Sequence, residues 1–137
     1  MLKNLSGPRG QLTEEPPDRD ELNGLKGSGL ARLADAAKAD LAIESRFDLA
    51  YNAGHALSLA ALRHYGFRPR SRFIVFQVLP HTLGLGPEVW RLLDMAHRKR
   101  NHGEYEGVLD IDPQFVAELI EAVQTVARAL SDLEQSA

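Results

Sequence analysis

The chain has 137 residues and no cysteine, which suits one domain with a single core and excludes disulfides and cysteine-ligated metal sites. Hydrophobic residues make up 44 % and charged residues 26 %. Because neither a membrane-length apolar run nor an N-terminal signal core occurs, we expect a soluble cytoplasmic protein without a membrane partner. The net charge is −3, yet residues 63–103 carry eight basic and two acidic side chains. This excess suits phosphate-bearing ligands, and it also fits a solvated surface that pairs with acidic helices.

The first residues are predicted to lie outside the folded domain. Glycine and proline interrupt residues 1–25, and no apolar periodicity persists there over two turns, so we expect an N-terminal arm. Residues 26–137 form the predicted domain. Its first helix is expected to begin at Ser28, a favourable N-cap residue, and to bury one stripe at helical spacing. That stripe comprises Leu30, Leu33, Ala34, Ala37 and Leu41.

The next helix is predicted to be the central one. Ser45 is expected to cap it, and Gly66 is expected to end it just after Tyr65. Apolar residues occupy most sides of this helix, which indicates that other helices enclose it. Residues 72–79 have the composition of a strand. A lone strand would lack a pairing partner, so we predict a short helix that is broken near Pro80.

Two further helices complete the predicted fold. One begins near Glu88, and the other begins at Pro113 with Asp112 as its N-cap. The first of the two is expected to face inward through Val89, Leu92, Leu93 and Ala96. Because the connections are short, we expect an all-α fold: an up-and-down four-helix bundle with an additional short helix and the N-terminal arm.

One arginine is predicted to face inward near the end of the helix that begins near Glu88. Arg100 lies about 20° from Val89 on the helical wheel, on the buried stripe. A buried unpaired guanidinium is costly, so Arg100 either reaches an anion in a cleft or pairs with an internal carboxylate such as Asp48. His97 and Asn101 flank the arginine. A guanidinium beside an imidazole and an amide suits a phosphate ligand.

A polar line runs along the otherwise apolar central helix. It comprises Asp48, Asn52, His55 and Arg63. The line is either the hydrated face of the helix or one wall of a cleft shared with Arg100, and the apolar surroundings favour the cleft. We interpret Tyr51 and Gly54 as packing residues. No histidines have chelating spacing, so we expect no metal and no cofactor.

Three blocks of the sequence together resemble the HEPN superfamily of small bacterial proteins. The blocks are the run from Arg46 to Leu57, the run from Tyr65 to Arg72, and residues 98–101 with 104–107. The resemblance covers about residues 28–133 and implies an all-α bundle that forms a homodimer. It also implies a cleft between subunits that holds an arginine followed four to six residues later by a histidine. In active members the arginine holds the RNA phosphate and the histidine transfers protons, without a metal.

The resemblance assigns roles to residues of this chain. Arg100 matches the motif arginine, Asn101 matches the polar residue after it, and Tyr105 stands where the motif places histidine. A phenol is a weaker proton shuttle than imidazole at pH 7. The expected catalytic residues are Arg100 and Tyr105. The expected ligand-binding residues are Asn101, His97, Asp48, Asn52 and His55.

These assignments predict a nucleotide- or RNA-binding component of a toxin–antitoxin or nucleotidyltransferase-linked system. The degenerate motif adds the hypothesis of a metal-independent ribonuclease. The alternative is a non-catalytic dimeric module that docks on a nucleotidyltransferase, and an antitoxin is a second candidate partner. A metal-free RNA cleavage assay distinguishes the ribonuclease from the non-catalytic module.

Overall fold

The computed structural model describes residues 2–6, 10–106 and 111–136, with the backbone alone at 103–106. The described chain is mostly helical, as expected. Its elements in order are a 3-10 turn at Leu2–Leu5, β1 at Leu12–Glu14, α1 at Arg19–Ala36, α2 at Ile43–His64, β2 at Phe67–Pro69, α3 at Arg72–Gln77, α4 at Leu79–Thr82, α5 at Pro87–Glu106 and α6 at Pro113–Ser136. None of the helices in these ranges is long and apolar enough to cross a membrane.

The first helix differs from its prediction in both start and register. α1 begins at Arg19, inside the predicted arm, and the Asp18 side chain caps it by accepting a hydrogen bond from the Asp20 amide at 2.9 Å. The helix continues through Gly29, where an added Cβ would lie 2.7 Å from Leu57 Cγ. Gly29 therefore allows α1 to pack closely against α2. The buried residues of α1 are Gly29, Leu33 and Ala36, and Leu30 is 41 % exposed.

Helix α2 is the centre of the fold, as predicted, and it contacts every other helix. It begins at Ile43 with Ala42 as N-cap, so the expected Ser45 cap is wrong. It ends at His64, and Gly66 follows with a φ of +85°, which only glycine adopts easily.

Contacts along α2 give the directions of its neighbours. Glu21 of α1 meets Arg63 near the end of α2, whereas the Ala36 carbonyl meets Arg46 near its start, so α1 and α2 are antiparallel. Helix α6 runs in the same direction as α2, since an added Cβ on Gly54 would meet Val123 and the Phe47 ring lies 6.3 Å from Phe115.

The remaining helices agree well with the sequence. Val89, Leu93 and Ala96 of α5 are buried, as expected. The Asp112 side chain caps α6 by accepting a hydrogen bond from the Phe115 amide at 2.8 Å, so this N-cap is confirmed. The short helix predicted over 72–79 is present as α3, and Pro80 lies in the first turn of α4.

A two-stranded sheet is the element that the all-α prediction lacks. β1 pairs antiparallel with β2, with Leu12 opposite Pro69 and Glu14 opposite Phe67. Leu12 is fully buried and belongs to a small second cluster with Leu62, Ile74 and other apolar residues. Residues 12–14, within the predicted arm, therefore pack against α2 and α3 of the same chain.

A buried arginine joins the N-terminal residues to the end of α2. The Arg63 side chain is 0 % exposed, and its Nε donates to Glu21 Oε1 at 2.7 Å. Its other nitrogens donate to the carbonyls of Glu15, Pro16 and Phe67 at 2.9, 2.8 and 3.3 Å. Arg63 therefore does not share a cleft with the polar residues at the start of α2, contrary to the sequence hypothesis.

This cluster predicts a large stability effect at Arg63. Replacing Arg63 with Met removes the donor to three carbonyl oxygens and leaves Glu21 without its main partner. We expect the free energy of unfolding, measured by urea titration, to fall by about 3–5 kcal/mol.

Two matched variants make this test specific. Arg63→Lys keeps the charge but has fewer hydrogen-bond donors, so its free energy of unfolding should lie between those of the wild type and Arg63→Met. Arg128→Ala, at an exposed position on α6, should leave the unfolding midpoint nearly unchanged. If Arg63→Met and Arg128→Ala have the same free energy of unfolding, then water replaces the guanidinium of Arg63 and the cluster does not stabilise the fold.

Candidate functional site

Helices α2, α3 and α5 converge near the N-terminal end of α2. α2 and α5 are antiparallel there, since Asp48 lies near Arg100, and Tyr51 lies near His97. From α3, the buried Phe76 ring lies 6.0 Å from Tyr51 and 6.4 Å from His97, measured between ring centroids. The three helices thus bring two of the predicted ligand residues, Asp48 and His97, beside the predicted catalytic Arg100.

Both ring nitrogens of His97 have hydrogen-bond partners. The Tyr51 hydroxyl lies 2.9 Å from Nδ1, and the Asn101 amide nitrogen lies 3.2 Å from Nε2. With the amide donating, Nε2 accepts and Nδ1 carries the ring proton, which it donates to the phenol oxygen. Burial lowers the pKa of His97, the charge of Asp94 opposes this effect, and the charges of Arg72, Arg100 and Arg98 add to it. His97 is therefore a fixed, neutral imidazole at pH 7.

Arg100 lies on an aromatic ring, with a carboxylate nearby. Its Cζ is 5.2 Å from the centroid of Tyr51, a cation–π contact. The nearest distance between Arg100 Nε and Asp48 Oδ1 is 3.9 Å, longer than a hydrogen bond. The Asp48 side chain is 61 % exposed, whereas the Arg100 side chain is 26 % exposed. The carboxylate is thus on the surface, and the pair is a weak one.

His55 is the second imidazole of the site. Its ring meets the Phe76 ring edge-on at 6.1 Å. Burial lowers the pKa of His55 to about 4, and the charges of Arg72 and Arg100, and of His97 when it is protonated, add to this effect. His55 is therefore uncharged at neutral pH, although it lies among cationic side chains.

The other expected residues have different positions. The Asn52 amide donates to the Asp48 carbonyl at 2.9 Å, so it bonds its own helix. Tyr105 lies in α5, and its side chain is outside the described part of the chain. Arg98, which we expected on the solvent side of α5, is 72 % exposed and forms an ion pair with Asp94 at 2.6 Å.

Two site residues were missed by the sequence interpretation. Tyr51 was assigned to packing, and it is indeed fully buried, but its hydroxyl also orients His97. A buried phenol needs a polar partner, and that requirement was the available signal. Arg72 was not singled out, although it begins α3 and its charge acts on both imidazoles.

Comparison of the chain with models of protein families, with curated proteins and with solved structures finds no match. Within the described ranges, no group of three or more histidine and carboxylate side chains could hold a metal ion. The chemistry supported by the described side chains is therefore that of guanidinium, imidazole, phenol and amide groups. Such groups bind oxyanions and exchange protons.

The low pKa of His55 predicts a pH-dependent stability. Its folded pKa lies below the unfolded value, so the unfolded state takes up a proton first and stability is lost as pH falls from about 6.5 towards 4. Between pH 7 and 5 this site alone should reduce the free energy of unfolding by about 2 kcal/mol.

The measurement is urea unfolding at the two pH values for three proteins. His55→Gln should lose most of the wild-type difference, and His81→Gln, at an exposed position on α4, should retain it. An equal pH dependence in wild type and His55→Gln would show that His55 is not held neutral by the fold.

Proposed function

We propose that the chain is a HEPN-like protein that binds nucleotide or RNA through the site around Arg100. The observation that carries the proposal is the position of this guanidinium. It lies on the Tyr51 ring, beside two imidazoles whose pKa values are lowered, and Asp48 Oδ1 is 3.9 Å from its Nε. A guanidinium in such a setting is suited to a phosphate.

The charge of the surroundings supports the same ligand class. The guanidiniums of Arg72 and Arg100 both lower the pKa of His55 and of His97, so both imidazoles lie within the positive potential of these arginines, although Asp94 opposes it at His97. A phosphate-bearing ligand gains from this potential, whereas a cationic ligand is repelled.

The proposal extends to assembly and cellular role. We place the protein in the cytoplasm as a homodimer, within a toxin–antitoxin or nucleotidyltransferase-linked system, with an antitoxin or a nucleotidyltransferase as its protein partner. We also propose an up-and-down bundle of α1, α2, α5 and α6. The antiparallel α1–α2 and α2–α5 contacts and the parallel α2–α6 contact support that topology.

Whether the site also cleaves RNA depends on its proton-transfer groups. His97 precedes Arg100 in the chain, and hydrogen bonds hold both of its ring nitrogens. Tyr105, in place of the motif histidine, is a weak proton shuttle at neutral pH. These observations favour the alternative of a non-catalytic binding module over a ribonuclease.

Cleavage is tested by incubating labelled single-stranded RNA with the protein in EDTA at pH 7. We expect the RNA to be bound but intact, because burial lowers the pKa of both imidazoles beside Arg100, His55 and His97, and hydrogen bonds hold both ring nitrogens of His97. Metal-independent cleavage that disappears in Arg100→Ala would instead establish a ribonuclease. The Tyr105→Phe variant would then show whether the phenol takes part.

Binding is tested by fluorescence anisotropy with labelled single-stranded RNA at about 50 and 200 mM salt. Wild-type affinity should fall steeply between the two, because bound phosphates release counterions. Arg100→Ala should weaken binding by roughly 1.5–3 kcal/mol, the scale of a charged hydrogen bond. Its melting temperature should stay close to wild type, since the Arg100 side chain is partly exposed and its cation–π contact and its ion pair with Asp48 are weak.

Arg91→Ala is the matched control for Arg100→Ala. Arg91 lies on the same helix and is exposed, with its Cζ 5.4 Å from the Trp90 ring, so its removal should affect neither binding nor stability. A loss of about 3–5 kcal/mol of stability in Arg100→Ala, with unaltered RNA binding, would identify a packing arginine. A wild type that binds no RNA at the lower salt would refute the proposed ligand class.

A further inference from the structure

A cleft lies at the end of α2 that is opposite to the site around Arg100. Its volume is about 490 Å³, which is within the range of small-molecule sites. The lining residues are Pro17, Arg19, Leu22, Asn23, His64 and Glu134. Since a helix rises about 1.5 Å per residue, about 20 Å of α2 separates His64 from Tyr51. The proposed function uses none of the lining residues.

The directions of three helices explain why these residues meet. α1 is antiparallel to α2, whereas α6 runs in the same direction as α2, so the start of α1 lies beside the ends of the other two helices. Arg19 and Asn23 are one turn apart on the same face of α1. On that face, Lys26 donates to Glu134 Oε1 at 2.6 Å and joins α1 to α6. The walls of the cleft are therefore held in place by helix packing.

Three polar side chains of the cleft form no hydrogen bond or ion pair with any residue in the described ranges. They are the guanidinium of Arg19, the amide of Asn23 and the imidazole of His64. His64 is half-buried, and its ring lies at a right angle to the Tyr65 ring, with 5.3 Å between the centroids. Each of the three groups can donate a hydrogen bond. Donors from two helices thus converge on one cleft.

The carboxylates at this end of the molecule already have cationic partners. Glu134, the acidic residue of the lining, is paired with Lys26 at 2.6 Å. Glu21, in the first turn of α1, is 2.7 Å from Arg63 and does not line the cleft. Among the described side chains, no carboxylate is paired with Arg19. The groups that remain for a ligand are therefore one positive charge and two neutral donors.

We infer that this cleft binds a small organic anion, with a carboxylate or a phosphate monoester as its charged group. The anion oxygens accept hydrogen bonds from Arg19, Asn23 and His64, and a guanidinium matches two such oxygens at once. The apolar part of the ligand lies on Pro17 and Leu22. This is a second ligand site, and it does not depend on the proposed function.

The test follows the NMR signals of the His64 ring and the Asn23 side-chain amide while small probes are titrated at pH 7 and constant ionic strength. The probes are benzoate, phenyl phosphate and benzamide, which has the shape of benzoate without its charge. We expect saturable shifts with the anions and binding of benzamide that is at least about 10-fold weaker. The tighter of the two anions identifies the charged group that the cleft prefers.

Variants of Arg19 test the role of the guanidinium. Arg19→Ala should weaken binding of the preferred anion by about 10- to 100-fold. Arg19→Lys should weaken it less, because it keeps the charge but loses the planar fork. Arg32→Ala is the matched control, since Arg32 is exposed on the same helix and does not line the cleft. Arg19 is also exposed, so these variants should melt close to the wild-type temperature.

The outcomes separate this inference from the proposed function. Absence of saturable shifts with both anions overturns the inference, as does equal affinity for benzoate and benzamide or equal affinity of wild type and Arg19→Ala. Anion binding that is lost in Arg100→Ala and retained in Arg19→Ala would place the anion at the site around Arg100, and it would also overturn the inference. RNA binding is measured separately, so its absence would refute the proposed function without affecting this site.

Discussion

The buried guanidinium of Arg63 is the interaction on which the arrangement of the chain depends. A charge with 0 % exposure is tolerated only when its donors are satisfied. Its acceptors come from the N-terminal residues Glu15 and Pro16, from Glu21 of α1 and from Phe67 of β2. One side chain therefore fixes where β1, β2 and α1 meet the end of α2. The bond to Glu21 also sets the register of α1 along α2.

The candidate site is at the opposite end of the same helix, where the charge balance differs. Around Arg63, hydrogen bonds from Arg63 and Arg68 hold the pKa of Glu21 below its usual value, so cations and carboxylates compensate each other. Around Tyr51, guanidiniums of α3 and α5 act on neutral imidazoles, and the nearby Asp48 is exposed. The two ends of α2 therefore differ in how the charges around them are arranged.

The predictions from the sequence were most accurate for features that depend on which face of one helix is buried. The buried stripe of α5 and the inward direction of Arg100 follow from helical spacing, and antiparallel packing then brings Asp48 and His55 to the same place. Contacts between distant segments were not predictable in this way. β1 is three residues long, and its partner β2 follows only after α1 and α2. The periodicity of α2 led us to group Arg63 with Asp48, and this grouping was wrong. Residue spacing shows which face of a helix a side chain occupies, but it does not show which hydrogen-bond acceptors from other segments lie along that face.

The chemistry of the site depends on how a bound anion would change its imidazoles. Burial is the largest cause of the low pKa of His55, and the charges of Arg72, His97 and Arg100 come after it. An anion at Arg100 would oppose the effect of the charges, but it would also exclude water and so strengthen the effect of burial. Because burial is the first cause, the position of His55 in the fold, more than the nearby arginines, keeps it neutral at pH 7. The site is thus better suited to holding a phosphate by fixed guanidiniums than to transferring protons, which is the physical ground for preferring binding over cleavage.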